Sequence, residues 1–286
     1  MNEIGLLGGI WFLAFGLQLF FHLGIFAPLI FYRPRLLSHL SPLPSVSVVI
    51  CARNEALHLP NLLGKLRAQN HPDFEVILVD DRSEDSTPGI LSQWQQNWPA
   101  LQVKRIEKTP PAFDPKKYAL GQGLAQAQKE VIVLTDADGY PASEEWLTLL
   151  AQCFEENTEV VLGLSPYEKR PGLLNAFIQF ETFYTALQYL GLARAGWPYM
   201  GLGRNLAYRR ALYLENQEIT RKYQHITGGD DDLWISNVAH KKNTQICLNP
   251  QAYVISYPKL RWKNGLPKRK DIYPLANITS PSPSGF

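Results

Sequence analysis

Residues 46–55 read VSVVICARNE, residues 74–81 read FEVILVDD, and residues 131–138 read VIVLTDAD. Each stretch begins with aliphatic residues typical of a buried strand and ends in polar or acidic side chains. Helices are predicted between them, over residues 54–69, 86–98 and 117–128, with a further strand over 101–106. Strands that alternate with helices predict an α/β fold with a mostly parallel central sheet flanked by helices.

The polar ends of these strands should meet at one edge of the sheet. Ligands of open parallel sheets bind at the carboxyl ends of the strands. Three clusters stand at such ends: Arg53-Asn54-Glu55, Asp80-Asp81 and Asp136-Ala137-Asp138. Their convergence is more informative than any single motif, and it predicts a ligand site at this edge.

Asp136 and Asp138 are candidate metal ligands. In an extended segment, residues two apart point to the same side. Two carboxylates placed in this way can hold a hard divalent cation, which usually also binds substrate phosphates. The alternative is a solvated turn, because aspartate and glycine both favour turns.

The other two acidic clusters also have two interpretations each. Asp80 could accept a hydrogen bond from a base or a ribose, whereas Asp81, Ser83 or Asp85 could cap the next helix. Asp230, Asp231 and Asp232 follow one another at a predicted helix start, where three like charges are costly unless a cation or substrate shares them. One of them could act as a general base, or the row could be a helix N-terminus favoured by the helix dipole.

Basic residues add candidate phosphate contacts. Lys116 and Lys117 follow a proline-rich loop, and Arg204 stands in the glycine-rich stretch 201–205. The two lysines could contact the phosphates of a bound substrate, or they could form a solvated face. The basic segment 259–270 could bind a diphosphate or anionic lipid headgroups.

The N-terminal segment predicts a membrane anchor. Residues 5–32 are almost entirely apolar, which exceeds the ~20 residues that a helix needs to cross a bilayer. The start carries no lysine or arginine, which favours a retained anchor over a cleaved signal peptide. Phe31 and Tyr32, followed by Arg33 and Arg35, resemble an interfacial belt with positive charge on the cytosolic side. We therefore predict a single-pass anchor over 1–35, a linker over 36–45, a cytoplasmic catalytic domain over 46–258, and a basic segment with a disordered tail over 259–286.

Composition limits the remaining possibilities. A hydrophobic fraction of 45% argues against a disordered chain, and a net charge of +2 gives no support for nucleic acid as a partner. The three cysteines are far apart in sequence and predict no disulfide framework. Residues 173–192 form a long aromatic-rich helix, for which a core position is the favoured interpretation and an interfacial helix beside a lipid acceptor the alternative.

Four ordered motifs together resemble the family 2 glycosyltransferases of the GT-A fold, more closely their bacterial membrane-associated members. The motifs are Cys51-Ala52-Arg53-Asn54-Glu55, Val79-Asp80-Asp81-Arg82-Ser83, Thr135-Asp136-Ala137-Asp138 and Gly229-Asp230-Asp231-Asp232-Leu233. Further similar stretches begin at Lys116 and at Tyr199, and the resemblance spans roughly residues 46–258. It implies inverting transfer from a nucleoside-diphosphate sugar, often a uridine one, with Mg²⁺ or Mn²⁺, to a lipid-linked or envelope-glycan acceptor at the inner membrane.

The resemblance also implies roles for single residues. Arg53 and Glu55 would line the nucleotide site. Lys117 and Arg204 are candidate donor contacts because of their positive charge, and Arg204 could bind the acceptor instead. Asp80 and Asp81 would hold the base and ribose, and Asp136 and Asp138 the ribose and the metal. Asp231 would be the general base, supported by Asp230 and Asp232.

The chain departs from the family pattern after the last motif. Processive members carry a Gln-x-x-Arg-Trp motif whose glutamine is absent here, which argues against a polymer-extruding synthase. A non-catalytic membrane-tethered protein that binds nucleotide sugars is the main alternative. A nucleotidyltransferase is disfavoured, because Arg53-Asn54-Glu55 stands where that class has a glycine-rich phosphate loop.

Overall fold

The computed structural model describes residues 3–33 and 42–258. The predicted boundary of the anchor at 34–35, most of the predicted linker, and the basic segment with its tail at 259–286 lie outside the described residues. The helices are α1 Glu3–Leu19, α2 Leu59–Arg67, α3 Thr87–Asn97, α4 Pro115–Leu124, α5 Trp146–Gln152, α6 Leu173–Ala195, α7 Arg210–Glu215, α8 Gln217–Lys222 and α9 Asp230–Val238. The strands are β1 Val46–Ala52, β2 Phe74–Asp81, β3 Leu101–Ile106, β4 Val131–Leu134, β5 Gly139–Pro141, β6 Val160–Leu162, β7 Leu206–Arg209, β8 Thr244–Ile246 and β9 Val254–Ser256.

The main sheet has seven strands in the order β3-β2-β1-β4-β7-β6-β8. β1 pairs in parallel with both β2 and β4, and β2 pairs in parallel with β3. β7 runs antiparallel to both of its neighbours, β4 and β6, while β8 is parallel to β6. The predicted α/β fold with a mostly parallel sheet is therefore confirmed, with β7 as the reversed strand.

Helices cover both faces of this sheet, as the alternating side chains of β1 show. Val48 and Ile50 belong to one core cluster together with residues of α2, α3 and α5. Val49 points the opposite way, into a second cluster with residues of α4, α6 and α9. The aliphatic run of β1 thus follows from burial on both sides, which is the usual condition of a parallel strand.

The second half of the chain differs most from the prediction. The short strands β5, β8 and β9 and the helices α5, α7 and α8 carry no clear periodic signal and were not predicted. β5 and β9 pair antiparallel in a small separate sheet. The predicted helix over 54–69 begins only at Leu59, because residues 53–58 form a turn in which Asn54 has a positive φ of 57°. The cysteines are free, and Cys153 and Cys247 are buried.

The N-terminal helix is continuous enough to cross a bilayer. α1 continues through a π-helical segment, Phe20–Phe26, and a 3₁₀ turn, Ala27–Phe31. Within the described residues, Gly5–Phe31 is the one helix long and apolar enough to span a membrane, with a mean hydropathy of 1.9. Its last turns pack against α6, and the Tyr32 hydroxyl that follows them accepts a hydrogen bond from Ile246 N of β8 at 3.4 Å.

The structure corrects the prediction for the aromatic helix α6. Ile178, Tyr189 and Leu190 are buried as a core helix requires. Phe180 and Phe183, however, are more than half exposed. Only one face of α6 therefore packs against the sheet, and the favoured core position was wrong for these aromatic residues.

Candidate active site

The carboxyl ends of β1, β2 and β4 meet at one edge of the sheet. The register places Ala52, the last residue of β1, opposite Asp80, and Val49 opposite Leu134 at the end of β4. The loops that follow these strands carry all three polar clusters predicted from the sequence. Polar residues that are far apart in the sequence therefore lie at the same edge of the sheet, because the strands that precede them are parallel.

Hydrogen bonds fasten the loop after β1 to the loop after β2. They run from backbone N–H groups to side-chain oxygens: Asn54 N to Ser83 Oγ (2.9 Å), Glu55 N to Thr87 Oγ1 (2.9 Å) and Ala56 N to Asp85 Oδ2 (3.2 Å). The Asn54 Oδ1 atom in turn accepts a hydrogen bond from Glu84 N at 2.8 Å. Arg53, which is exposed, and Glu55 are therefore presented by a loop whose backbone is held in place.

Asp80 and Asp81 are buried and already have partners. Asp80 accepts a hydrogen bond from Ser83 N at 3.1 Å and lies 3.4 Å from Arg105 Nη1. Asp81 forms a two-point ion pair with Arg82, with distances of 2.7 and 3.1 Å. These contacts shape the loop after β2, so both carboxylates organise this wall of the site. The N-cap position of α3 is Ser86, and Asp85, one residue before it, accepts a hydrogen bond from Thr87 N at the start of the helix.

An acidic group forms where the ends of β1 and β4 come together. Burial raises the pKa of Glu55 above its ordinary value, and the negative charges of Asp138 and Asp136 raise it further, against the His58 contact at 2.7 Å that lowers it. Asp136 and Asp138 are partly exposed, whereas the intervening Ala137 is buried. Residues 137 and 138 lie in a turn, the alternative that the sequence left open, and the two carboxylates add negative charge that acts on Glu55.

The residues present fit a divalent cation as a partial ligand set. Among the described side chains, no three acidic, histidine or cysteine residues converge in a geometry that would hold a metal by themselves. Mg²⁺ and similar ions are commonly bound by one or two carboxylates, with phosphates or water completing the shell. Asp136 and Asp138 are two partly exposed carboxylates and so could supply this part of the ligand shell.

The two consecutive lysines at the start of α4 reach different parts of the site. Lys116 Nζ lies 4.0 Å from Asp136 Oδ1. Lys117 is buried, donates to Tyr223 O at 3.0 Å, and lines a mainly apolar pocket that also contains Asp231. Sequence reasoning selected Lys117 as the donor contact, and the structure shows that Lys116 is the one beside the acidic group.

The carboxylate of Asp231 is held by the glycine-rich loop before β7. Gly203 N donates to Asp231 Oδ2 at 2.7 Å. A Cβ at position 203 would overlap this carboxylate, so only glycine permits the approach. Gly228 and Gly229 have positive φ angles of 78° and 64° and turn the chain into α9, which begins at the aspartate row.

Asp230 and Asp232 are the neighbours of Asp231 in the row. The side chain of Asp230 lies outside what the structure describes. Asp232 contributes to raising the pKa of Tyr199, after the larger effect of burial. Both acidic groups lie in the first turn of a helix, where negative charge is favourable.

Arg204 has an unused hydrogen-bond donor. Its guanidinium carbon lies 4.7 Å from the centre of the Tyr167 ring. The Nη1 atom is buried and has no hydrogen-bond acceptor among the described residues. A buried guanidinium donor without an acceptor costs free energy, and an anionic ligand would satisfy it.

Sequence reasoning missed an aromatic wall beside Glu55. The ring of Tyr257 stacks on His58 with a centroid distance of 4.5 Å, and its hydroxyl accepts from Asn61 Nδ2 at 2.8 Å. Tyr257 N also donates to Asp138 O at 3.0 Å. No signal in the sequence links these residues, because Tyr257 is almost two hundred positions from Asn61.

The sequence profile of "Glycosyl transferase family 2" matches residues 47–215, which is more than half of the chain. The chain belongs to glycosyltransferase family 2. This match includes the loops after β1, β2 and β4 and the glycine-rich loop before β7.

Curated relatives and solved structures agree with that assignment. The chain is 28% identical over 188 residues to the probable glycosyltransferase YdaM of Bacillus subtilis, covering 63% of this chain and 44% of the relative. It is 36% identical over 99 residues to a beta-monoglucosyldiacylglycerol synthase of Synechocystis, covering 34% and 20%. The chain thus spans less than half the length of these relatives.

The solved structures confirm the GT-A fold. The mannosyltransferase PcManGT of Pyrobaculum calidifontis, in complex with GDP-Man and Mn²⁺, superposes with a TM-score of 0.60 at 20% identity, covering 87% of this chain and 69% of that one. TarS of Staphylococcus aureus, residues 1–349, superposes with a TM-score of 0.54 at 20% identity, covering 74% and 60%.

Proposed function

We propose that this protein is a metal-dependent, inverting glycosyltransferase that uses a nucleoside-diphosphate sugar, most simply a UDP-sugar, and a lipid-linked or envelope-glycan acceptor. It is held in the inner membrane by a single N-terminal span, with its catalytic domain in the cytoplasm. One observation carries the proposal. Glu55, Asp136 and Asp138 follow the carboxyl ends of β1 and β4, at the sheet edge where the family 2 motifs stand, and the negative charges of both aspartates act on Glu55.

Donor binding is assigned to the loops after β1, β2 and β4. Arg53, Glu55 and the wall built by Asp80 and Asp81 would border the nucleoside. Asp136 and Asp138 would hold Mg²⁺ or Mn²⁺, which supplies charge neutralisation for the departing diphosphate. The complex of PcManGT with GDP-Man and Mn²⁺ supports a metal and a nucleotide sugar in this fold.

Transfer itself is assigned to Asp231. Its carboxylate would accept the proton of an acceptor hydroxyl while that oxygen attacks the anomeric carbon. The bond from this carbon to the diphosphate oxygen breaks in the same step, so the nucleoside diphosphate leaves and the configuration inverts. Lys116 and Arg204, whose Nη1 atom has no acceptor among the described residues, would bind negative charge on the donor.

A lipid acceptor is supported by two findings. The Synechocystis relative is a beta-monoglucosyldiacylglycerol synthase, which is named for a glycolipid product. Residues 5–31 are long and apolar enough to hold the enzyme at a bilayer. A diacylglycerol and a polyprenyl phosphate are therefore the first acceptors to test.

The test is release of nucleoside diphosphate by the purified full chain in lipid nanodiscs. UDP-glucose, UDP-N-acetylglucosamine and GDP-mannose are offered with each acceptor, with Mn²⁺, Mg²⁺ or EDTA. We expect release that requires metal and acceptor and is lost in Asp138→Asn and Asp231→Asn. Asp73→Asn is the matched control, because Asp73 pairs with Lys129 at the opposite end of β2.

Two results would contradict the proposal. Metal-dependent donor binding without turnover for every acceptor would favour the non-catalytic binding protein. Full activity of Asp231→Asn would remove the proposed base.

A further inference from the structure

The exposed residues of α6 form one continuous apolar stripe. Leu173, Phe177, Phe180 and Tyr184 follow one another at spacings of four, three and four, which places them on one helix face. Leu173 is 84% exposed and Phe180 is 64% exposed. Phe183 flanks the stripe and is also exposed. A contiguous apolar surface of this kind on a folded protein marks an interaction site.

The opposite face of α6 is a normal core face. Ile178, Ala186, Tyr189 and Leu190 are buried, and the Tyr189 hydroxyl donates to Gly163 O at 2.7 Å. α6 is therefore fixed on the sheet by one side. The stripe cannot turn inwards without losing these contacts, so its exposure is built into the fold.

The anchor packs directly against α6 beside the stripe. The rings of Phe26 and Tyr184 lie edge to face with a centroid distance of 6.3 Å. Gly191 permits this approach, because a Cβ there would lie 3.1 Å from both Ile25 and Phe26 side-chain atoms. The stripe thus begins at the contact with the anchor and continues along α6 away from it.

This contact places α6 beside the apolar span. The anchor is exposed on both sides of the contact, at Phe20 and Leu23 before it and at Ile30 and Phe31 after it, and these are the residues that lipid would surround. The part of α6 at the contact therefore lies alongside the last turns of the span. Arg33 and Arg194 follow the anchor and the stripe and line one cleft together with glutamates 155, 156 and 159.

We infer that the exposed face of α6 is a membrane-binding surface that lies in the headgroup region of the same bilayer that holds the anchor. Its occupant is lipid. An apolar face with aromatic side chains and few charges suits a helix that lies in the interface plane. Glu181 and Arg194 are the only charged residues of α6, and neither belongs to the stripe.

One consequence rests on the proposed function. α6 is linked to the site, because Gln179 Nε2 donates to Tyr167 O at 2.6 Å and the Tyr167 ring lies under Arg204. Arg204 follows Gly203, whose N–H holds Asp231. A membrane-embedded stripe would therefore bring Asp231 close to the headgroup of a lipid acceptor.

The test is photo-crosslinking of the full chain in nanodiscs, and it does not depend on catalysis. p-Benzoyl-phenylalanine replaces Phe180, a conservative change on an exposed side chain. Leu13, 76% exposed on α1, receives the same group as the anchor control, and Leu214, 44% exposed on α7, as the water-facing control. The lipids carry a clickable acyl chain, so that a lipid adduct can be counted.

We expect lipid adducts at positions 13 and 180, several-fold above the adducts at position 214. If position 13 gives lipid adducts but the adduct yield at position 180 is no higher than that at position 214, the inference is overturned while the anchor stays in place. A crosslinked dimer at 180 would show that a second copy covers the stripe and would also overturn it. Absence of adducts at 13 and 180 would refute the anchor and the inference together, whereas loss of sugar transfer alone would bear on the proposed function.

Discussion

The substitution Gly203→Ala should displace the carboxylate of Asp231, the proposed general base. An added Cβ would lie 2.7 Å from Asp231 Cγ, whereas ordinary van der Waals contact begins at 3.4 Å. The carboxylate must therefore retreat by more than about 0.7 Å, because its Oδ2 atom lies nearer still, and a displacement of about 1 Å from productive geometry costs on the order of 100-fold in rate. We expect kcat for sugar transfer to fall about 10- to 100-fold, or ~1.4–2.7 kcal/mol in activation free energy.

The assay is acceptor-dependent release of nucleoside diphosphate at saturating donor, with donor affinity measured separately. Donor affinity should change much less than kcat, because the assigned donor contacts come mostly from the loops after β1, β2 and β4, and only Arg204 lies next to position 203. Gly64→Ala is the matched control: nothing lies within 4 Å of its added Cβ, and alanine favours the helix α2 by ~1 kcal/mol. A folded Gly203→Ala variant with the wild-type kcat would refute the claim that the position of Asp231 limits transfer.

Further predictions concern stability. The pKa of Glu55 is raised, which means that the folded protein favours the neutral form of this carboxyl group. The contribution of Glu55 to the free energy of unfolding is therefore lost as the pH rises above the ordinary pKa of 4.5. Glu55→Gln should raise the Tm of the unliganded protein at pH 7.5, and this gain should shrink towards pH 4. Asn205→Ala should lower the free energy of unfolding by about 3 kcal/mol, because the side chain accepts a hydrogen bond from a buried indole N–H and donates to two backbone carbonyls. Urea unfolding should show no such loss for the control Asn97→Ala, whose side chain is exposed. Gly123→Ala should destabilise the fold by about 1–3 kcal/mol, because the added Cβ would lie 2.7 Å from a valine methyl of β1. On the same helix, an added Cβ at Gly121 has nothing within 4 Å, so Gly121→Ala should slightly raise the Tm measured by calorimetry.

The first half of the fold followed from the sequence because its strands are long aliphatic runs. β3 and β4 have the predicted bounds, since turn residues or a change to charged residues mark both ends of each strand. The start of α2 was wrong because its local pattern is helical from Asn54. Side chains about thirty positions later, Ser83 and Thr87, hold residues 54 and 55 outside the helix. A local pattern carries no information about such contacts.

The site was predictable where strand ends supply acidic residues, and less so elsewhere. Parallel pairing alone explains why Glu55 and Asp138 approach each other. The choice between Lys116 and Lys117 depends on the direction of each side chain from α4, which spacing does not give. The prediction of a core position for α6 was wrong for a different reason. A helix that is apolar on both faces fits the sequence pattern of a core helix and the pattern of a helix that contacts lipid equally well.

The placement of β7 has a consequence for how the chain can be synthesised and shortened. β7 closes the free edge of β4, although the two strands are about seventy residues apart in the chain. Until residues 206–209 leave the ribosome, the strand Val131–Leu134 offers an unpaired aliphatic edge to other nascent chains. A fragment that ends before β7 would contain every donor-side acidic residue and still be expected to aggregate. Pairing across this distance also predicts a slow final folding step, because the entropy of closing a long loop is lost before the stabilising contacts between β4 and β7 form.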